Sequence, residues 1–64
     1  MICINGQEYD KSEIRLCDFL DENGFDAKRI AVELNGEILP KSKYPQTTLT
    51  NGDRVEIVSF VGGG

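Results

Sequence analysis

The sequence predicts an α+β fold in which a mixed sheet of about five strands wraps on one helix. Three observations lead there: two apolar-alternating stretches that each fold about an Asn-Gly pair, one short stretch with helical spacing between them, and a final alternating run, "RVEIVS". With 64 residues there is room for one domain and one small core.

"MICINGQEYD" reads as a hairpin, because Ile2 and Ile4 alternate with polar or small neighbours and Asn5-Gly6 supplies a two-residue turn. Both central residues of a type I′ turn need positive φ, which Asn and Gly tolerate best. In "RLCDFLDENG" Leu16, Phe19 and Leu20 fall at helical spacing, and Gly24 sits where a C-terminal cap would end the helix. The start is less defined, since Arg15 is a poor N-cap and Ser12 a better one. "RIAVELNGEIL" is a second hairpin: Ile30, Val32 and Leu34 alternate, Asn35-Gly36 turns, and Ile38 returns. "PKSKYPQTTLTNGD" holds both prolines and most of the turn formers, so it reads as a loop with a short 3₁₀ turn near Ser42–Tyr44. "RVEIVSFV" is the last strand.

Two hairpins flanking a helix, followed by a strand that must enter the same sheet, suit a β-grasp with first and last strands adjacent and parallel. Residues 1–61 form that domain, and 62–64 are left as a flexible glycine tail. The expected core is Ile2, Ile4, Leu16, Phe19, Leu20, Ile30, Val32, Leu34, Leu49, Val55 and Ile57. In the last strand a period of two sets Val55 and Ile57 inward, with Val58 and Phe60 outward beside the tail. Exposed apolar residues there mark a docking surface made of Val58, Phe60 and Val61.

Composition narrows the function classes. A net charge of −4 argues against nucleic acid, since phosphate binding needs a basic face. No apolar stretch is long enough to span a bilayer, and neither a membrane partner nor a signal peptide is expected. The chain has no histidine and only Cys3 and Cys17, which removes imidazole bases, Cys–His pairs and most zinc sites. Neither thiol has a resolving cysteine nearby or a clear cationic cluster to activate it, so both read as small, half-buried hydrophobes in a reducing compartment. No bound cofactor or metal is expected, and the chain is not expected to be an enzyme alone.

The glycine run Gly62-Gly63-Gly64 is the remaining puzzle. Glycine is costly to order and adds nothing to a core, so the run is either an inert remnant or a thread that reaches where a side chain cannot. With "VELNGEILP" and "NGDRVEIVSFVGGG", over the whole chain, the sequence resembles the ThiS family of thiamine-biosynthesis sulfur carriers. The resemblance implies a ubiquitin-like β-grasp whose Gly64 carboxylate is the reactive group. An ATP- and magnesium-dependent, ThiF-type adenylyltransferase would join AMP to it, a sulfur donor enzyme would convert it to a thiocarboxylate, and thiazole synthase would take the sulfur. It also implies a cytoplasmic monomer. Arg15 departs from the Ser or Thr helix cap that the family leads one to expect. Two other readings stay open: a small subunit of the molybdopterin synthase type, which typically carries prolines before its Gly-Gly that "SFVGGG" lacks, and a non-reactive β-grasp binding module.

Overall fold

The computed structural model describes residues 1–60. In chain order it contains strands β1 (Ile2–Ile4), β2 (Gln7–Tyr9) and β3 (Glu13–Arg15), then helix α1 (Leu16–Glu22) and a 3₁₀ turn over Ala27–Arg29. Strands β4 (Ile30–Leu34) and β5 (Glu37–Leu39) follow, then a 3₁₀ segment over Lys41–Gln46, β6 (Thr48–Thr50) and β7 (Arg54–Ser59).

Five strands form one mixed sheet in the order β2-β1-β7-β4-β5. Strand β7 lies at its centre, parallel to β1 and antiparallel to β4, as a β-grasp requires. Both expected Asn-Gly hairpins are present, with φ of 51° and 80° at Asn5 and Gly6 and of 53° and 88° at Asn35 and Gly36. These are the positive angles that a type I′ turn needs, so each turn twists in the sense of its flanking strands.

Helix α1 covers the inner face through Leu16, Phe19 and Leu20. Gly24 ends it at φ 73°, where its N–H donates to Asp21 O and the Phe25 N–H donates to Leu20 O. That pair of bonds is a Schellman cap, and it satisfies carbonyls the helix leaves open. Phe25, just beyond, packs on the core, and Tyr9 of β2 meets Phe19 edge-on at 5.5 Å.

Four details refine or correct the sequence expectation. The helix start, undefined in the sequence between Ser12 and Arg15, falls after Arg15, and Arg15 caps nothing with its side chain. The reason is long-range: Glu13–Arg15 pairs with Thr48–Thr50 to form a second, two-stranded sheet, and the Leu16 N–H donates to Thr47 O. The backbone just before β6 thus satisfies the first of the donors that a helix start leaves open. The stretch read as a loop accordingly holds β6 and a longer 3₁₀ segment than Ser42–Tyr44. Tyr44, absent from the expected core, is 3% exposed there. Burial pushes its phenol above the ordinary 10.0, opposed by a hydrogen bond with the Val32 backbone. Leu34, by contrast, is only half-buried, because it ends β4 at the turn; the other expected core residues are all buried.

Candidate functional site

Strand β7 leads to the C-terminal residues and is held along both edges. On one side the Asn5 N–H donates to Val55 O at 2.9 Å. The Asn5 side chain then accepts from Ile57 N–H at 2.7 Å and donates from Nδ2 to Ile57 O at 3.3 Å. On the other side the Asn35 N–H donates to Arg54 O at 2.8 Å, and Arg54 N–H donates to Asn35 Oδ1 at 2.9 Å. The two hairpin turns therefore grip β7 from opposite edges.

Asp53 locks the turn that leads into β7. Its carboxylate accepts from Asn35 Nδ2 at 3.0 Å, Thr50 N–H at 2.8 Å and Thr50 Oγ1 at 3.2 Å. Burial alone would raise this carboxyl, but the bonds from Asn35 and Thr50 outweigh it and hold the pKa below the ordinary 3.8.

At the far end the Phe60 N–H donates to Arg29 O at 2.8 Å, which carries the ladder one residue past Ser59. The Phe60 ring lies outward, 52% exposed, with Lys41 Nζ 6.0 Å from its centroid. That ammonium also donates to Lys28 O at 3.1 Å. Val58, 57% exposed, and Ile38, 66% exposed, share the outer face of the sheet with Phe60. Between them Glu33 and Glu56 stand directly opposite each other, an arrangement that destabilises a strand pair when the charges are alike. A shallow polar groove at the other end of this face is lined by Glu33, Asn35, Gly36, Gly52, Arg54 and Glu56.

The outward phase expected of Val58 and Phe60 is therefore present. Val61, Gly62, Gly63 and Gly64 lie outside the described residues. Cys3 and Cys17 are free and partly buried; Cys3 pairs across the sheet with Glu8 and Arg54, and Cys17 packs against the core. Among the described residues no three His, Cys, Asp or Glu side chains gather to hold a metal, and no helix is long and apolar enough to cross a membrane. Sequence reasoning missed Asn5, Arg29 and Lys41 as groups that hold β7 and its exit. Asn5-Gly6 signals a turn, but nothing local indicates that the turn's amide reaches a strand 52 positions away.

A helix gripped by a five-stranded mixed sheet, with parallel first and last strands and the chain leaving from the central one, defines a ubiquitin-like β-grasp domain. Comparison with known proteins narrows the class further. The ThiS family model matches residues 2–64, and the chain belongs to this family. It is 45% identical over 64 residues to a protein named thiazole synthase from Paramagnetospirillum magneticum, a match that covers 98% of this chain and 20% of that one. The chain thus spans about a fifth of that relative's length. It is 36% identical over 66 residues to the sulfur carrier protein ThiS of Bacillus subtilis, covering 100% of both. Among solved structures it is similar to the thiamine biosynthesis protein ThiS from Geobacter metallireducens, with a TM-score of 0.75, 33% identity, and coverage of 98% of this chain and 97% of that one.

Proposed function

We propose that this chain is a sulfur carrier of thiamine biosynthesis and that the α-carboxylate of Gly64 is its reactive group. The observation that carries the reading is the family match, which runs through the terminal glycines to residue 64. The two carriers named ThiS, from Bacillus subtilis and Thermus thermophilus, are matched over 100% of their length and support it.

The chemistry accounts for the residue types. A carboxylate with a pKa near 3.5 is an anion at neutral pH and a poor electrophile. In the proposed sequence its oxygen attacks the α-phosphorus of ATP, supplied with Mg²⁺ by a ThiF-type adenylyltransferase, and pyrophosphate leaves. Sulfide released at the donor enzyme then adds to the acyl carbon as HS⁻, AMP leaves, and loss of the thiol proton gives the thiocarboxylate. Gly62, Gly63 and Gly64 add no Cβ, so a narrow, water-excluding channel can take them. The carrier is a protein cosubstrate in the cytoplasm, not an enzyme. Likeness to part of a protein named thiazole synthase favours thiazole synthase as the acceptor of the sulfur.

Val58, Phe60 and Val61 form the proposed docking surface for these enzymes, with the exposure of Val58 and Phe60 in its favour. The test is an intact-mass measurement after incubation with adenylyltransferase, ATP and sulfur donor. A sulfur-for-oxygen mass increase on the last residue is expected. An unmodified chain beside a control carrier that is modified would leave a non-reactive binding module.

A further inference from the structure

We propose that Lys28, Arg29 and Lys41 form a cationic collar at the root of the tail, and that it docks on an acidic protein surface around the mouth of the activating enzyme's channel. The inference rests on the sulfur-carrier reading for the identity of the partner. Its geometry does not: Lys41 Nζ lies 3.1 Å from Lys28 O and 6.0 Å from the Phe60 ring centroid, and Phe60 N lies 2.8 Å from Arg29 O. The Lys41 ammonium and the backbones of Lys28 and Arg29 therefore meet where β7 ends, which sets three of the chain's seven basic residues beside that point in a protein with 11 acidic residues.

The collar is poorly neutralised from within. Among the described residues only Arg29 has a carboxylate partner, Asp26 at 3.6 Å, and both side chains of that pair are well exposed. Exposed pairs of this kind hold their members weakly. The Lys28 side chain makes no hydrogen bond or ion pair among the described residues. Lys41 spends one of its three donors on a carbonyl at the surface.

Two anionic occupants compete for such a collar: a nucleotide phosphate at the reacting terminus, or carboxylates on the partner's surface. Reach decides between them. A threaded tail is close to extended, and the four residues from Val61 to Gly64 then span about 14 Å. The α-phosphate sits at the end of that thread, farther than a lysine side chain extends and beyond the Debye length of about 8 Å at physiological salt. What lies beside the collar when the tail is inserted is the rim of the channel. A cationic ring on an acidic molecule also orients it, so that the tail arrives first at an acidic rim and the acidic remainder is turned away.

The test compares the parent with a Lys28→Gln/Lys41→Gln variant and a Lys28→Arg/Lys41→Arg variant, read as pyrophosphate release by the adenylyltransferase across a range of carrier concentrations. At about 50 mM salt the Gln variant should lose about tenfold in kcat/KM through KM, with kcat unchanged, because rim charges act on encounter. The Arg variant should keep the parent value, and the difference should vanish at about 0.5 M salt. Thermal unfolding is followed alongside; if the double variant is unfolded, Lys28→Gln alone carries the comparison, since its side chain has no partner to lose among the described residues. Equal kcat/KM at low salt overturns the collar. So does a loss confined to kcat, or a gain, the last meaning that the collar holds the chain's own terminus. A parent that neither binds nor releases pyrophosphate overturns the carrier reading itself, which is a different result from a normal parent beside an equal variant.

Discussion

The side-chain amide of Asn5 brackets the backbone of Ile57, accepting from its N–H at 2.7 Å and donating to its C=O at 3.3 Å. In effect it acts as one more peptide group in the parallel β1–β7 ladder. Strand β1 needs that extension, because it is three residues long and turns away at Asn5 with φ 51°. The positive φ that makes the hairpin also aims the amide at β7. Local turn chemistry and long-range strand placement thus depend on one residue.

Replacing Asn5 by Asp keeps the shape and the turn tolerance but swaps the Nδ2 donor for a carboxylate oxygen facing Ile57 O. A part-buried acceptor then faces an acceptor, which costs about 1–3 kcal/mol. For a domain of this size the melting temperature should fall by about 4–8 °C per kcal/mol. Calorimetry near neutral pH measures it, and an unchanged transition would show that the bracket adds nothing to stability.

Asp53 makes a prediction about pH. Its folded-state pKa is depressed, with burial opposing and the bonds from Asn35 and Thr50 prevailing. Its contribution to stability is therefore complete above the ordinary value of 3.8 and is lost as pH falls through the lower folded value. Asp53→Asn should be less stable than the parent near neutral pH, and the gap should close as pH drops below 3.8. Denaturant titrations of both proteins across that range test it. A gap that stays constant with pH would mean the carboxylate charge is not what holds the turn.

Much of this frame is readable from the chain because its signals are local. Asn-Gly forces the two hairpins, the Leu16/Phe19/Leu20 spacing gives the helix face, and alternation in β7 sets Val58 and Phe60 outward. The misses share a different cause. Strands β3 and β6 are three residues each, too short to show a period, and each exists only because the other lies beside it. Tyr44 was hidden among prolines and lysines, where composition signals a loop although the ring is buried. The grip of Asn5 on Ile57 and of Arg29 on Phe60 likewise depends on strand order, which no local pattern encodes.

Phe60→Ala should weaken binding to the adenylyltransferase more than it weakens folding. Phe60 is already about half exposed, so truncation returns little apolar area to solvent. The backbone bond from Phe60 to Arg29 survives the substitution. Exposed aromatic anchors, by contrast, often carry about 2 kcal/mol or more of an interface. A thermal scan and a binding titration on the same variant decide it. A large drop in melting temperature with unchanged affinity would make Phe60 a packing residue.

Gly64 carries the sharpest test of the proposed chemistry. Deleting it, or appending one residue after it, should abolish thiocarboxylation and leave the fold intact. The fold is indifferent because the core and ladder described for residues 1–60 are complete without it. Catalysis is not indifferent, since the carboxylate must come within near-attack distance of the α-phosphorus, and a misplacement of about 1 Å can cost on the order of a hundredfold. One residue fewer withdraws the carboxylate by about 3.5 Å, well past that tolerance. Gly64→Ala separates reach from width: it restores the length but adds a Cβ in a channel expected to be narrow, so the rate should fall sharply while binding through the sheet face persists. The readout is the sulfur-for-oxygen mass increase with adenylyltransferase, ATP and sulfur donor, set beside the melting curve of each variant. Thiocarboxylation of the shortened chain at the parent rate would mean that the reactive group lies elsewhere.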